Sequence, residues 1–174
     1  MKIFLLTRPE YDYVTSCLSA YAKKLINMAE ERSVKVIDLV REKANASTLN
    51  SYIKSNKPRL VMFNGHGNGK IIFGHKTEPL ISYGENEELL KGTITYALAC
   101  ESTKLLGESC ITAETDAYIG YKEKFALAHD PQLETNPLND PMVKSFLEPS
   151  NMVIASLLKG NTVEEAYNKS QRAF

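Results

Sequence analysis

The chain has 174 residues, 43% apolar and 24% charged, with 21 basic and 21 acidic side chains. That is enough for one domain, residues 1–174, with a self-sufficient core, and the absence of net charge offers no global attraction to nucleic acid or an anionic membrane. The apolar runs reach only about eight residues, against the roughly 20 that cross a bilayer, and the three cysteines, Cys17, Cys100 and Cys110, are too irregular for a disulfide framework, which points to a reducing, cytoplasmic setting.

Lys2 to Thr7 is closed by Arg8, Pro9, Glu10 and Asp12 too early for a signal peptide, so a first strand is expected there. Val14, Leu18, Tyr21, Leu25 and Met28 then fall on one helical face. Val34 to Val40 reads as a second strand, and Asn45 to Lys54 as a helix with Leu49, Tyr52 and Ile53 inward. A third strand spans Arg59 to Asn64. Lys70 to Gly74 and Glu78 to Ser82 suggest a hairpin outside the main sheet, and Glu85 to Leu90 a short helix closed by Gly92.

Thr93 to Ala99 is the fourth strand, followed by a helix from Thr103 to Gly107 and a further strand signal at Ala117-Tyr118-Ile119-Gly120-Tyr121. A polar, proline-marked loop covers Asp130 to Pro141. Pro141 suits the first turn of a helix carrying Met142, Val143, Phe146 and Leu147. A separate helix is expected around Met152 to Leu158, stopping at Gly160, and Thr162-Val163-Glu164-Glu165 is a capping box that opens the last one. The alternation predicts a single α/β domain with a mainly parallel sheet.

Two short motifs close apolar strands in adjacent units: Asn64-Gly65-His66-Gly67 after Leu60 to Phe63, and Ala99-Cys100-Glu101-Ser102 after Ile94 to Leu98. Functional groups collect at the carboxyl edge of parallel strands, and neighbouring strands lie about 4.8 Å apart. A cysteine after a strand is by itself more often a small core residue, and His-Gly turns are common. Their joint occurrence at two strand ends, among small residues, is the arrangement a thiol nucleophile and an imidazole partner need.

These residues resemble the His-Gly and Ala-Cys motifs of the caspase-like cysteine peptidases, the group of caspases, legumains, gingipains, separase and the bacterial CHAT proteases. Ala-Cys-Glu-Ser is most similar to the legumain and CHAT branches, and Leu157 to Ala166 is similar to the closing helix of CHAT domains. The resemblance implies a sheet of about six strands flanked by helices and a cysteine endopeptidase activity. It makes Cys100 the nucleophile and His66 its acid–base partner, with the N–H groups of Gly67 and Cys100 as oxyanion hole and no third catalytic side chain. No cofactor and no metal are implied. The partners it implies are a protein or peptide substrate and either an activating partner or a second copy.

The chain departs from these relatives at Leu98, where several have a polar or acidic pocket residue, so no preference for the residue before the cut carries over. Leu98, Glu101 and Asp116 are the candidates for that pocket, with Glu123, Lys122 and Lys124 as further sources of charge; Glu101 is otherwise expected to be solvated or to cap the next helix.

Rival chemistries lack their marks. No cysteine has the arginine six residues on that a thiol phosphatase needs, and Cys100 lacks the flanking glycines of a glutaminase elbow. Zinc-ligand spacings are absent, and the glycines around His66 lack the Lys-Ser/Thr of a P-loop. His75 and His129 are expected to be solvated, and Cys110 buried and inert. The alternative to a peptidase is a catalytically silent domain of the same type that serves as a protein-interaction module.

Overall fold

The computed structural model describes residues 2–174. In chain order the main elements are β1 (Ile3–Arg8), α1 (Tyr13–Glu30), β2 (Lys35–Val40), α2 (Ala46–Asn56), β3 (Leu60–Asn64), β4 (Ile71–Phe73), β5 (Pro79–Ser82) and β6 (Ile94–Leu98). A π-helical turn (Thr103–Gly107) then runs into α3 (Glu108–Thr112), followed by β7 (Ala117–Ile119), α4 (Pro141–Leu158) and α5 (Val163–Gln171). Five strands form a parallel sheet in the order β2-β1-β3-β6-β7, and β4 and β5 form a separate antiparallel hairpin.

The continuous apolar strands follow from burial on both faces. Phe4, Leu6, Leu60, Met62, Tyr96 and Leu98 point to a core shared with α1, α4 and α5. Their neighbours Leu5, Val61, Phe63 and Ala97 point to the opposite core, filled by α2 and the hairpin. A shift of one residue in any strand would exchange the two sets. No helix among the described residues is long and apolar enough to cross a membrane.

Three expectations need correction. Leu49 and Ile53 of α2 are buried as expected, but Tyr52 faces outward. The sheet has five strands rather than six, because the hairpin stays outside it and the chain beyond Ile119 runs irregularly until Pro141. The two helices expected on either side of Pro149 are one, α4, 18 residues long. A proline inside a helix removes one backbone hydrogen bond. Here Val143 and Leu147 before it and Val153, Ile154 and Leu157 after it enter the same core, which favours continuity. The Ser150 hydroxyl also donates to the Phe146 carbonyl at 2.8 Å across the interrupted turn.

Candidate active site

The register of β3 and β6 sets Asn64 beside Leu98, so the two motifs leave the sheet at the same level of its carboxyl edge. Gly65 begins the first turn at φ +155°, where a Cβ would lie 2.7 Å from the Phe73 carbonyl oxygen. Only glycine fits. The two loops are then fastened together. The Gly65 N–H donates to the Leu98 carbonyl at 3.3 Å, and the Gly69 carbonyl accepts from both Leu105 and Leu106 N–H at 3.1 Å. Between these bonds Gly67 lies against Ala99 and the Cys100 carbonyl.

Gly67 stands opposite Ile72 of the hairpin as an isolated antiparallel pair. The bonds on either side run from Phe73 N–H to the His66 carbonyl and from Asn68 N–H to the Ile71 carbonyl, each 3.0 Å. A residue in such a non-bonded position turns its own N–H away from the partner strand. Among the described residues, neither the Gly67 nor the Cys100 N–H donates to a protein acceptor. Two free donors on neighbouring loops are what an oxyanion requires.

His66 is half-exposed, and its Nε2 lies 2.7 Å from Asp12 Oδ2. Asp12 comes from the β1–α1 turn, where it is the N-cap of α1. Its other oxygen accepts the Thr15 N–H at 2.8 Å in a capping box. Burial pushes the Asp12 carboxyl upward, but the Thr15 N–H, the His66 ring and the Thr15 hydroxyl outweigh it, and the group sits below its ordinary value. An ionised carboxylate can only accept, so Nε2 carries the proton and Nδ1 is the nitrogen left to exchange one.

The half-buried Cys100 has a different partner. Its thiol donates to the Phe125 carbonyl at 3.6 Å. The next residue, Glu101, adopts φ 56°, a conformation that costs a non-glycine residue about 1 kcal/mol, and its carboxylate pairs with Lys104 at 2.5 Å. Ser102 is fully buried; it bonds the Ala97 carbonyl at 3.3 Å and accepts the Tyr121 N–H at 3.2 Å. The Cys100 loop is thus sewn to the sheet on one side and to the segment after β7 on the other.

The pocket candidates separate. Glu101 stays beside Cys100. Leu98 is only 1% exposed and belongs to the α1/α4 core, so it cannot wall an open pocket. Asp116 lies just ahead of β7 and pairs with Arg59 just ahead of β3, at 2.8 Å. Both precede their strands, which places Asp116 at the amino edge, about 20 Å from Cys100 at roughly 3.3 Å per residue. It is no part of this site.

His75 is not solvated as expected. Its side chain is 10% exposed, edge-to-face with Tyr11 and near Glu42. His129 packs on the Tyr13 ring, centroids 4.4 Å apart. Cys110 is fully buried, and burial, reinforced by the Glu87 charge, pushes its thiol up to about 12. Asp12 is the residue that sequence reasoning missed. The signal was an Asp-x-x-Thr cap ahead of a periodic helix, in the turn after the strand next to the one that delivers His66.

Asparagine caps a helix nearly as well as aspartate, so Asp12→Asn and Asp12→Ala separate the two roles. Both variants should weaken any reaction that uses His66, by about ten- to a hundredfold. Only Asp12→Ala should also lose the cap, about 0.5–2 kcal/mol in chemical denaturation. The lowered carboxyl stabilises the wild type above the unfolded value near 4, and this is lost as pH falls through the folded value. The stability of Asp12→Asn should accordingly fall less steeply in that acid window. Compared with known proteins, the chain matches no family model and no curated protein.

Proposed function

We propose that the chain is a caspase-like cysteine endopeptidase. The observation that carries this reading is the β3–β6 register, which sets Gly65-His66-Gly67 beside Ala99-Cys100 with two unengaged N–H groups between them. Cys100 would pass its thiol proton to His66 Nδ1 and attack a peptide carbonyl carbon, and the resulting oxyanion would be held by the Gly67 and Cys100 N–H groups. His66 would deliver a proton from Nδ1 to the departing amine, leaving a thioester on Cys100. Water then attacks the thioester, His66 takes its proton, and the acid product and free thiol are released. Asp12 keeps Nε2 protonated and the ring oriented throughout. The protein side chains suffice for every step. The three unpaired thiols fit a reducing, cytoplasmic setting.

The test is a peptide library with every residue type before the cut, assayed before and after alkylation of Cys100. Cleavage with a defined preference, lost on alkylation, is expected. A folded protein that cleaves nothing while its Cys100 is freely alkylated would overturn the reading in favour of a silent interaction module.

A further inference from the structure

The chain leaving β7 does not continue the sheet. It turns back across the carboxyl edge and covers the nucleophile. Its start is pinned: the Thr103 N–H donates to the Tyr121 carbonyl and the Glu101 N–H to the Glu123 carbonyl, both at 3.2 Å. The Tyr121 hydroxyl lies 2.8 Å from that of Ser150. Its far end is pinned as well, since the fully buried Asp140 accepts the Asp130 N–H at 2.7 Å and caps α4 through Met142 and Val143.

Between these anchors the hold is slight. Among the described residues, the backbone from Lys124 to His129 makes no hydrogen bond to other backbone groups. Three side chains keep it down. The Phe125 ring sits between Tyr121 and Phe146, with centroids at 5.0 and 4.9 Å. Leu127 packs against the core, and His129 stacks on Tyr13. The segment therefore runs from the thiol to Tyr13, the chain neighbour of Asp12. Segments with few backbone bonds and little burial open by local fluctuation.

We propose that residues 124–129 form a strap that caps Cys100 through the Phe125 carbonyl and swings away before the thiol can meet a substrate. The contact itself disfavours reactivity. The carbonyl oxygen holds the thiol hydrogen in a hydrogen bond, and it occupies the approach to sulfur. Opening the strap removes both obstacles and frees Sγ to take up the imidazole. As a control on catalysis the strap rests on the peptidase reading; as a cap on a thiol it can be measured without it.

The measurement is the rate at which iodoacetamide alkylates Cys100 in the full chain, followed residue by residue by mass spectrometry. The buried Cys17 and Cys110 report any unfolding in the same sample. Phe125→Ala removes the central ring contacts, and His129→Ala releases the far end without touching the core. Alkylation of Cys100 should quicken about tenfold in Phe125→Ala and severalfold in His129→Ala, the scale of losing aromatic packing, while Cys17 and Cys110 stay unmodified. If Phe125→Ala exposes the buried thiols, His129→Ala alone decides. Rates within twofold of wild type in a folded variant overturn the strap. Faster alkylation without peptide cleavage supports the strap and counts against the peptidase; cleavage with unchanged alkylation does the reverse.

Discussion

Cys100→Ala should lower peptide turnover by about 10⁴-fold or more, and His66→Ala by about 10³-fold, with folding intact in both. The two losses have different origins. Alanine at position 100 keeps the backbone N–H, so the oxyanion donors survive and only the nucleophile is gone. Cys100 is half-buried at a loop, so losing one sulfur atom costs little packing. His66→Ala keeps the thiol but leaves nothing to protonate a departing amine. Amides should then suffer far more than activated esters, whose phenolate leaving groups depart without a proton. The acylation burst of nitrophenol from an activated ester should slow only about tenfold in His66→Ala, since His66 is needed there for no leaving-group proton, yet vanish in Cys100→Ala. The double variant should be no worse than Cys100→Ala, because the two groups act as a unit. Equal losses on amide and ester would remove His66 from the role of acid.

These expectations depend on features of unequal legibility. The βα alternation was readable because each strand is buried on both faces and so appears as an unbroken apolar run; Leu60 to Phe63 and Ile94 to Leu98 are clear examples. That the two motifs leave the sheet at one level followed from strand ends alone, since β3 and β6 are adjacent parallel strands in register. Orientation was less legible. Leu98 lies two residues before Cys100, yet strand alternation turns it into the α1/α4 core. Asp116 looked near in sequence terms but precedes its strand, and in a parallel sheet that means the far edge. Asp12 was hidden for the opposite reason. It is 54 residues from His66, and nothing local indicates that a capping carboxylate has a second oxygen free for a ring across the edge. The irregular segment after Ile119 carries no periodicity, so its contact with Cys100 left no trace in the pattern.

Gly67→Ala should lower kcat about 10²- to 10³-fold, the loss associated with removing one oxyanion donor, and destabilise the fold by about 1–3 kcal/mol, the usual cost of overpacking. A Cβ at this position would stand 2.9 Å from the Ala99 Cβ and 3.0 Å from the Cys100 carbonyl oxygen. One of these neighbours is backbone and the other is a methyl fixed to it, so neither can rotate aside. The two loops must separate by a few tenths of an ångström, and with them the two N–H groups. A donor pair is worth most when it needs no rearrangement as charge develops, so the damage belongs to the transition state rather than to substrate binding. KM should therefore hold while kcat falls. Gly69→Ala is the matched control, since its Cβ would meet only the Lys104 side chain, at an ordinary 3.5 Å from Cβ and 3.8 Å from Cδ. Alkylation of Cys100 supplies the decisive contrast. It uses the same sulfur but builds no oxyanion, so in Gly67→Ala it should run at the wild-type rate while acyl transfer collapses. A parallel fall in both rates would mean that the substitution moved the nucleophile itself, and would take the Gly67 N–H out of the oxyanion hole.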